Sequence, residues 1–248
     1  MQSKPVALVT GANKGIGLQI AKDLAREGFT VVLGSRRLQA GEAVAASVGA
    51  DARAIQLDVT DSASIAAAAM RIGETYGRLD VLVNNAGVGA TDARGRTPDQ
   101  IAEETRLSVV DLDELRGVFE TNVFGVVAVT QAMLPLLREA PAGKIINISS
   151  IMGSFAMNAE PSNPLRAYAG TYSASKSALN AVTQALAIEL KDTHIKVNAV
   201  CPGHTATENS GFRGGPVEDA AREPVRLALL GLEGPTGAFS NAQGALPW

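Results

Sequence analysis

VALVTGANKGIG, at residues 6–17, joins a short apolar run to a glycine-rich turn and then to an amphipathic stretch. This order is typical of a buried strand that leads through a turn into a helix. Glycines allow a tight turn and a close backbone approach, and a helix start offers free N–H groups to an anion. The spacing G-x-x-x-G-x-G departs from the commoner G-x-G-x-x-G fingerprint, and the chain has 25 glycines. A purely structural turn is the alternative, but the strand–turn–helix context favours a nucleotide.

Apolar runs like this one recur along the chain at intervals that fit one strand plus one helix. Most are nearly continuous and rich in β-branched residues, which is typical of parallel strands covered on both faces. The pattern predicts an α/β fold: a Rossmann-type, doubly wound parallel β-sheet of about seven strands, with helices on both faces. Residues 1–248 are predicted to form a single dinucleotide-binding and catalytic domain. The strands are predicted around residues 6–9, 31–33, 55–57, 81–83, 145–148, 197–200 and 238–239, and the helices at 16–27, 39–48, 62–76, 112–138 and 172–191.

Composition excludes several classes of protein. Hydrophobic residues make up 46% of the chain, enough for a substantial core, and the net charge of −3 without a Lys/Arg block argues against nucleic acid as a partner. Cys201 is the only cysteine and there are two histidines, so neither an intrachain disulfide nor a multi-His metal site can form. We expect no metal. Because no signal peptide fits the N-terminus and the apolar stretch 124–137 is too short to span a bilayer, we expect a cytoplasmic protein without a membrane partner.

Three segments interrupt the alternation, near residues 88–111, 151–171 and 204–216. Each follows a predicted strand, so each should lie over the carboxyl edge of the sheet, where ligands bind in such folds. Plain surface loops are the alternative. We predict that the three segments are substrate loops and that residues 208–215, rich in glycine, act as a lid.

Charges after the second predicted strand indicate the cofactor. A ribose 2′-hydroxyl calls for a carboxylate at this point, whereas a 2′-phosphate calls for cations. The strand leads instead into Arg36 and Arg37, and Lys14 lies within the glycine turn. These arginines could merely solvate a helix start, but cations there oppose the helix dipole. The pattern therefore favours NADPH over NADH.

Tyr172 and Lys176 are four residues apart and would share one helix face. Tyrosine has a reference pKa of ~10, and a nearby ammonium favours tyrosinate, so Lys176 is expected to lower the pKa of Tyr172. Such a pair would supply a usable acid or base. A Y-x-x-x-K spacing is common by chance, so the pair is informative only in combination with other motifs of the chain.

A series of such motifs occurs in order along nearly the whole chain. TGANKGIG at 10–17 is followed by NNAG at 84–87, Asn122, SS at 149–150, the Tyr172/Lys176 pair and PG at 202–203. The series resembles the short-chain dehydrogenase/reductase superfamily. Within it, TGANKGIG, TNVFG at 121–125 and NISSIM at 147–152 resemble the NADPH-dependent carbonyl reductases.

The resemblance implies a catalytic set of Asn122, Ser150, Tyr172 and Lys176. Tyr172 would exchange a proton with the substrate oxygen, to which Ser150 would hydrogen-bond, with Ser149 the weaker candidate. Lys176 would lower the pKa of the tyrosine and bind the nicotinamide ribose. Asn122 would support a water link from Lys176 to solvent.

The resemblance also implies cofactor contacts along the same edge of the sheet. Asp58 would accept from the adenine amine, although capping the helix that begins near Asp61 is an alternative. The cofactor-binding residues predicted from the turn, the charges and the resemblance are Gly11, Asn13, Lys14, Gly15, Ile16, Gly17, Arg36, Asp58, Val59, Asn85, Ala86, Gly87, Tyr172, Lys176, Pro202, Gly203, Thr205 and Thr207.

The resulting hypothesis is NADPH-dependent reduction of a ketone or aldehyde. NADP-dependent oxidation of a secondary alcohol and a nonenzymatic NADPH-binding regulator are the alternatives. The intervals from Asn84 to Asn122 and from Ser150 to Tyr172 exceed those of most of the superfamily, so the resemblance does not extend to the substrate. Apolar residues in the substrate loops favour a hydrophobic carbonyl compound. In the carbonyl reductases that the chain resembles, a larger insertion before the tyrosine covers the pairing surface and keeps the protein monomeric. Because the segment 151–171 is extended at the same point, we expect a monomer, with a homodimer as the alternative.

Overall fold

The computed structural model describes residues 4–92, 95–168 and 170–248, and of Pro98 and Asn209 only the backbone. Residues 1–3, at the start of the predicted domain, lie outside the described part. So do residues 93, 94 and 169, which belong to two of the predicted substrate loops.

The described residues form one eight-stranded sheet with the strand order β3-β2-β1-β4-β5-β6-β7-β8. Strands β1 to β7 pair in parallel, and β8 runs antiparallel to β7. The prediction of a doubly wound parallel sheet is confirmed, and the strand count is corrected from about seven to eight by the short β8. The strands are β1 (Val6–Thr10), β2 (Thr30–Ser35), β3 (Arg53–Gln56), β4 (Val81–Asn84), β5 (Lys144–Ile148), β6 (Lys196–Val200), β7 (Phe239–Asn241) and β8 (Gly244–Ala245).

Helices cover both faces of the sheet. The α-helices are α1 (Gly15–Arg26), α2 (Leu38–Val48), α3 (Ser62–Tyr76), α4 (Pro98–Glu104), α5 (Leu112–Phe119), α6 (Gly125–Arg138), α7 (Phe155–Ala159), α8 (Thr171–Glu189) and α9 (Val217–Leu229). A π-helical turn, Glu120–Phe124, joins α5 to α6, and 3-10 turns occupy Ile151–Gly153, Pro164–Tyr168 and Glu208–Ser210.

Alternate residues of β1, β2, β4 and β5 point into two separate cores. On one face, Leu8 of β1 packs with residues of α3, α6 and α8, and on the other, Ala7 and Val9 pack with α1 and α9. All five residues of β1 are buried, because both faces of a central parallel strand are covered. The order of the strands reverses between β1 and β4, and this switch point opens a crevice at their carboxyl ends.

Helix α9 was missing from the prediction, and the third strand was placed too far along the chain. Pro224 lies inside α9, where proline is unusual, yet Ala221, Leu227 and Ala228 are buried in one cluster with residues of α1. Proline removes one helical hydrogen bond, and packing on α1 offsets that loss. Strand β3 ends at Gln56, so residues 57–59 already belong to the loop.

The apolar stretch 124–137 is part of a continuous helix, Leu112–Arg138, of 27 residues. By length and composition this helix could cross a membrane, so the argument that the stretch is too short does not hold. Its inner face is occupied, however: Val129, Met133 and Leu137 are fully buried against the sheet. Packing in the protein core accounts for its apolar character.

Candidate active site at the carboxyl edge of the sheet

The glycine turn after β1 is braced by the loop that follows β4. Asn85 donates from its side-chain Nδ2 to the Thr10 carbonyl at 2.8 Å, and its backbone N donates to Thr10 Oγ1 at 2.9 Å. Gly11 and Gly15 adopt positive φ values of 64° and 56°. A Cβ on Gly17 would lie 2.4 Å from Asn85 Nδ2 and 2.8 Å from the Gly11 carbonyl oxygen, so only glycine fits there. Asn85 thus stabilises the glycine turn through its bonds to Thr10.

The start of α1 is shaped to receive an anion. Lys14 precedes the helix in an extended conformation, and no side chain among the described residues caps it. The first N–H groups and the positive end of the helix dipole therefore face the crevice, as a pyrophosphate requires. The turn residues Asn13 and Ile16 are partly exposed at this point. The geometry fits the diphosphate of a dinucleotide cofactor.

Cations gather beside the turn, at the end of β2. The backbone N of Ala12 donates to the Gly34 carbonyl at 3.0 Å, which ties the turn to β2, and Arg36 is exposed two residues further on. Lys14 forms an ion pair with Glu208 of the 204–216 segment, with about 60% of each side chain exposed. Arg36 and Lys14 thus flank the turn as the sequence predicts. The partner of Lys14, 194 residues away, had no signal in the sequence.

Asp58 lies in the loop after β3, not at the end of the strand. Its Oδ1 accepts from the backbone N and the hydroxyl of Thr60, at 3.0 and 2.8 Å. The helix cap is Asp61, which accepts from the Ala63 N at 2.9 Å, so Asp58 does not fill the alternative role of cap. Val59 is buried, and its carbonyl oxygen lies 2.6 Å from the position that a Cβ on Gly125 of α6 would take. A role of Asp58 and Val59 toward adenine stays a prediction.

Tyr172 and Lys176 lie on one face of α8, next to the end of β5. The Lys176 Nζ is 5.6 Å from the centre of the Tyr172 ring and donates to the Ile148 carbonyl at 2.8 Å. Lys176 is 4% exposed, and Tyr172 is half-buried. A Cβ on Gly153 would lie 2.6 Å from the Lys176 carbonyl carbon, so the 3-10 turn after β5 packs directly on this helix. Gly153 was missed by the sequence analysis.

Burial dominates the protonation of this pair. It raises the pKa of Tyr172 to about 12, an effect to which Cys201 adds and which a hydrogen bond with Ser150 opposes. Burial also lowers the pKa of Lys176 to about 8, against an opposing effect of Cys201. The pKa of Tyr172 is thus raised and not lowered as expected from Lys176, because desolvation is the largest cause and Lys176 is not among the causes. Tyr172 keeps its proton at neutral pH and can donate it.

The two serines after β5 point to different partners. Ser150 interacts with Tyr172 and accepts from the Met152 N at 3.2 Å. Ser149 is buried and donates to Asn180 Oδ1 at 2.5 Å. Ser150 is thus the serine that the structure brings to Tyr172, and its role toward the substrate stays a prediction.

Asn122 lies in the π-helical turn and is 0% exposed. Its Nδ2 donates to the Val88 carbonyl at 2.8 Å and to Ser175 Oγ at 3.0 Å, and its Oδ1 accepts from the Val88 N at 2.9 Å. A Cβ on Gly87 would lie 3.2 Å from Asn122 Oδ1 and 3.5 Å from Lys176 Nζ, so Gly87 stands between the two. The structure brings Asn122 close to Lys176, and the water link stays a prediction.

The loop after β6 closes the other side of the crevice. Thr207 lies over the glycine turn, since its Cγ2 is 3.5 Å from the position of a Cβ on Gly15. Thr205 is buried, and its hydroxyl donates to the Gly203 carbonyl at 3.1 Å. Pro202 and Gly203 are accessible, as is Ala86, whose backbone N donates to Thr10 Oγ1 across the crevice at 2.9 Å. Among the described residues no group of acidic, histidine or cysteine side chains could hold a metal ion.

Comparison with known proteins matches this chain to dehydrogenases and reductases. A sequence model of the family described as short chain dehydrogenase matches residues 5–214. The chain is 33% identical to (-)-isopiperitenone reductase of Mentha piperita, with 97% of each chain covered. It is 34% identical to (+)-neomenthol dehydrogenase of Arabidopsis thaliana, with 94% of each covered. The structure of NADPH-bound carbonyl reductase from chicken fatty liver matches with a TM-score of 0.82 and 28% identity over 100% of both chains.

The lowered pKa of Lys176 predicts a pH dependence of stability without cofactor. The folded chain releases this proton near pH 8, whereas an unfolded lysine holds it to about pH 10.5, so wild-type stability should gain from a pH increase across this window. Lys176→Met should lose that gain. Calorimetric Tm values from about pH 7 to about pH 10 measure it. The exposed Lys191 provides the control, since Lys191→Met should keep the wild-type profile. Parallel profiles for wild type and Lys176→Met would contradict the burial of a charge here.

Proposed function

Because the chain belongs to the short-chain dehydrogenase family, we propose that it is an NADPH-dependent reductase of ketones or aldehydes. The observation that carries the proposal is the meeting of Ser150, Tyr172 and Lys176 beside an uncapped helix start at one edge of the sheet. The names of the reductases that the chain is similar to support the direction of the reaction. The similarity to (+)-neomenthol dehydrogenase favours NADP-dependent oxidation of a secondary alcohol as the second candidate. The same residues would serve both.

Each residue of the site has a distinct task in this proposal. Bound NADPH supplies the hydride that the carbonyl carbon accepts. Tyr172, protonated at neutral pH, donates its proton to the carbonyl oxygen, and Ser150 donates a hydrogen bond to the same oxygen. Lys176 stabilises the tyrosinate that this transfer leaves and binds the nicotinamide ribose. The glycine turn binds the diphosphate, and Lys14 and Arg36 bind the 2′-phosphate.

A panel of carbonyl compounds with NADPH absorbance as the readout tests the reaction directly. We expect turnover, fastest with apolar ketones and aldehydes, because Phe155 and Phe212 lie in two of the substrate loops and are each 72% exposed. The same panel of alcohols with NADP tests the oxidative candidate. Cofactor binding without any turnover would instead support a nonenzymatic NADPH-binding regulator. A strict requirement for a carboxylate or phosphate on the substrate would contradict the apolar site.

Tyr172→Phe should lower kcat by at least about a hundredfold, because it removes the proton donor, and should leave the Kd for NADPH almost unchanged. Steady-state kinetics and cofactor fluorescence measure the two effects. Tyr168→Phe is the matched control, since Tyr168 is exposed in the neighbouring 3-10 turn and its hydroxyl contacts Asp99 at 3.4 Å. An inactive Tyr168→Phe variant together with an active Tyr172→Phe variant would show that Tyr172 is not the proton donor.

Arg36→Asp should shift the preference from NADPH toward NADH. An arginine fork binds a 2′-phosphate, whereas an aspartate repels it and accepts a bond from a 2′-hydroxyl. The ratio of kcat/KM for the two cofactors should favour NADPH in the wild type and fall by about tenfold or more in the variant. Lys191→Asp, which changes the net charge equally at an exposed distant position, should keep the wild-type ratio. Equal kcat/KM values for NADPH and NADH in the wild type would refute the cofactor assignment.

We also propose a monomer that works in the cytoplasm. The segment before α8 docks on its own chain: the Ala156 N donates to the Trp248 carbonyl at 3.0 Å, and the Ser154 hydroxyl donates to the Pro247 carbonyl at 2.8 Å. The Trp248 ring also stacks on Phe239, with ring centres 5.3 Å apart, so the C-terminal tail packs against its own chain. Light scattering should return about the 25.6 kDa of one chain, and two or four times this mass would contradict the proposal.

A further inference from the structure

The first turn of α8 is held by a segment that lies far from it in the sequence. The carbonyl of Thr105 accepts two hydrogen bonds from Thr171, one from the backbone N and one from the side-chain hydroxyl, both at 3.0 Å. Thr105 ends α4, within the predicted substrate loop 88–111, and is 66 residues away. Both threonines are buried. Two of the predicted substrate loops, 88–111 and 151–171, are thus joined at the residue before Tyr172.

This contact takes the place of a helix cap. A helix start leaves N–H groups without partners inside the helix, and Gly170, at the cap position of α8, has no side chain to satisfy them. The Thr105 carbonyl satisfies the first of them from outside. It also lies at the carboxyl end of α4, where the negative end of a helix dipole faces the positive start of α8.

The space around Gly170 shows how closely the start of α8 approaches the end of α4. A Cβ on this residue would lie 2.7 Å from the Thr105 carbonyl oxygen and 3.6 Å from the Arg106 Cα. Its φ of −177° is open to any residue, so space alone requires glycine here. The two segments are therefore packed backbone against backbone, with little freedom to shift at the level of Tyr172.

We propose that Thr171 is a positioning residue for Tyr172, and that its two bonds to the Thr105 carbonyl fix the height of the phenol beside Ser150. The inference rests on the proposed function, in which Tyr172 is the proton donor. Proton transfer requires the phenol within hydrogen-bond reach of the substrate oxygen, and a misplacement of 1 Å is costly. The 88–111 segment thereby takes part in catalysis as well as in covering the substrate.

Thr171→Val tests the inference, because valine keeps the shape of threonine and removes only the hydroxyl bond. Thr183→Val is the matched control on the same helix. Thr183 is equally buried, donates to the Leu179 carbonyl at 2.8 Å and accepts from Asn147 Nδ2 at 2.9 Å, so its loss is at least as costly to stability. Thr171→Ser restores a hydroxyl and serves as the rescue.

We expect Thr171→Val to lower kcat about tenfold, with the KM for the carbonyl compound and the Kd for NADPH changed less than about twofold. Thr183→Val should keep kcat within about twofold in spite of a lower Tm, and Thr171→Ser should recover most of the wild-type kcat. A wild-type kcat in Thr171→Val, an equal loss in Thr183→Val, or a failed rescue would each overturn the inference.

Hydrogen exchange provides a readout independent of turnover. Thr171→Val should speed amide exchange at residues 98–106 and 171–176 together, whereas Thr183→Val should leave both segments at the wild-type rate. If the wild type reduces no carbonyl compound, the proposed function fails, and exchange alone decides whether Thr171 holds the start of α8. Unchanged exchange at both segments in Thr171→Val would then overturn the contact as a positioning device.

Discussion

In a parallel sheet every strand points the same way, and this constraint brings distant parts of the chain to one edge. The glycine turn follows β1, Arg36 follows β2, Asn85 and Gly87 follow β4, and Ser150 follows β5. Each of these positions is set by its strand, and the strands are fixed by two cores that cover both faces of the sheet. The site therefore inherits its rigidity from β1, β4 and β5, whose hydrophobic residues are almost completely buried.

Tyr172 and Lys176, the proposed catalytic pair, are both desolvated in this rigid site. Burial raises the pKa of Tyr172 and lowers that of Lys176, so each group is pushed toward its neutral form. A buried ammonium needs partners, and the Ile148 carbonyl provides one at 2.8 Å. The tyrosinate left by proton transfer would face this ammonium in a site with little water, where their attraction is stronger than at a surface. The same burial that opposes charge in the resting pair thus strengthens the interaction that the proposed reaction requires.

Local rules explain what could be predicted from the sequence. The third helix was predicted at its observed bounds, Ser62–Tyr76, because Asp61 caps it and alanines fill it. The Tyr172/Lys176 pair follows from helical spacing alone. Interactions between distant residues explain the misses. Helix α9 depends on packing against α1 in spite of Pro224, and the pKa of Tyr172 depends on how deeply the folded chain buries it. Neither the pairing of Lys14 with Glu208 nor the bonds of Thr171 to Thr105 leave a signal within a short window of sequence.

In the proposed function, Glu208 and the 2′-phosphate of the cofactor would compete for Lys14, which pairs with Glu208 in this structure. Both side chains are largely exposed, so solvent screens their attraction and the pair adds at most about 1 kcal/mol. A phosphate monoester carries close to two negative charges at neutral pH and accepts several hydrogen bonds, which makes it a stronger partner for a lysine than one carboxylate. Lys14 would therefore exchange Glu208 for a 2′-phosphate at small cost, whereas a 2′-hydroxyl would leave the ion pair in place. Since Thr207 lies over Gly15 and adjoins Glu208, release of Glu208 would be felt first in the loop that covers the glycine turn.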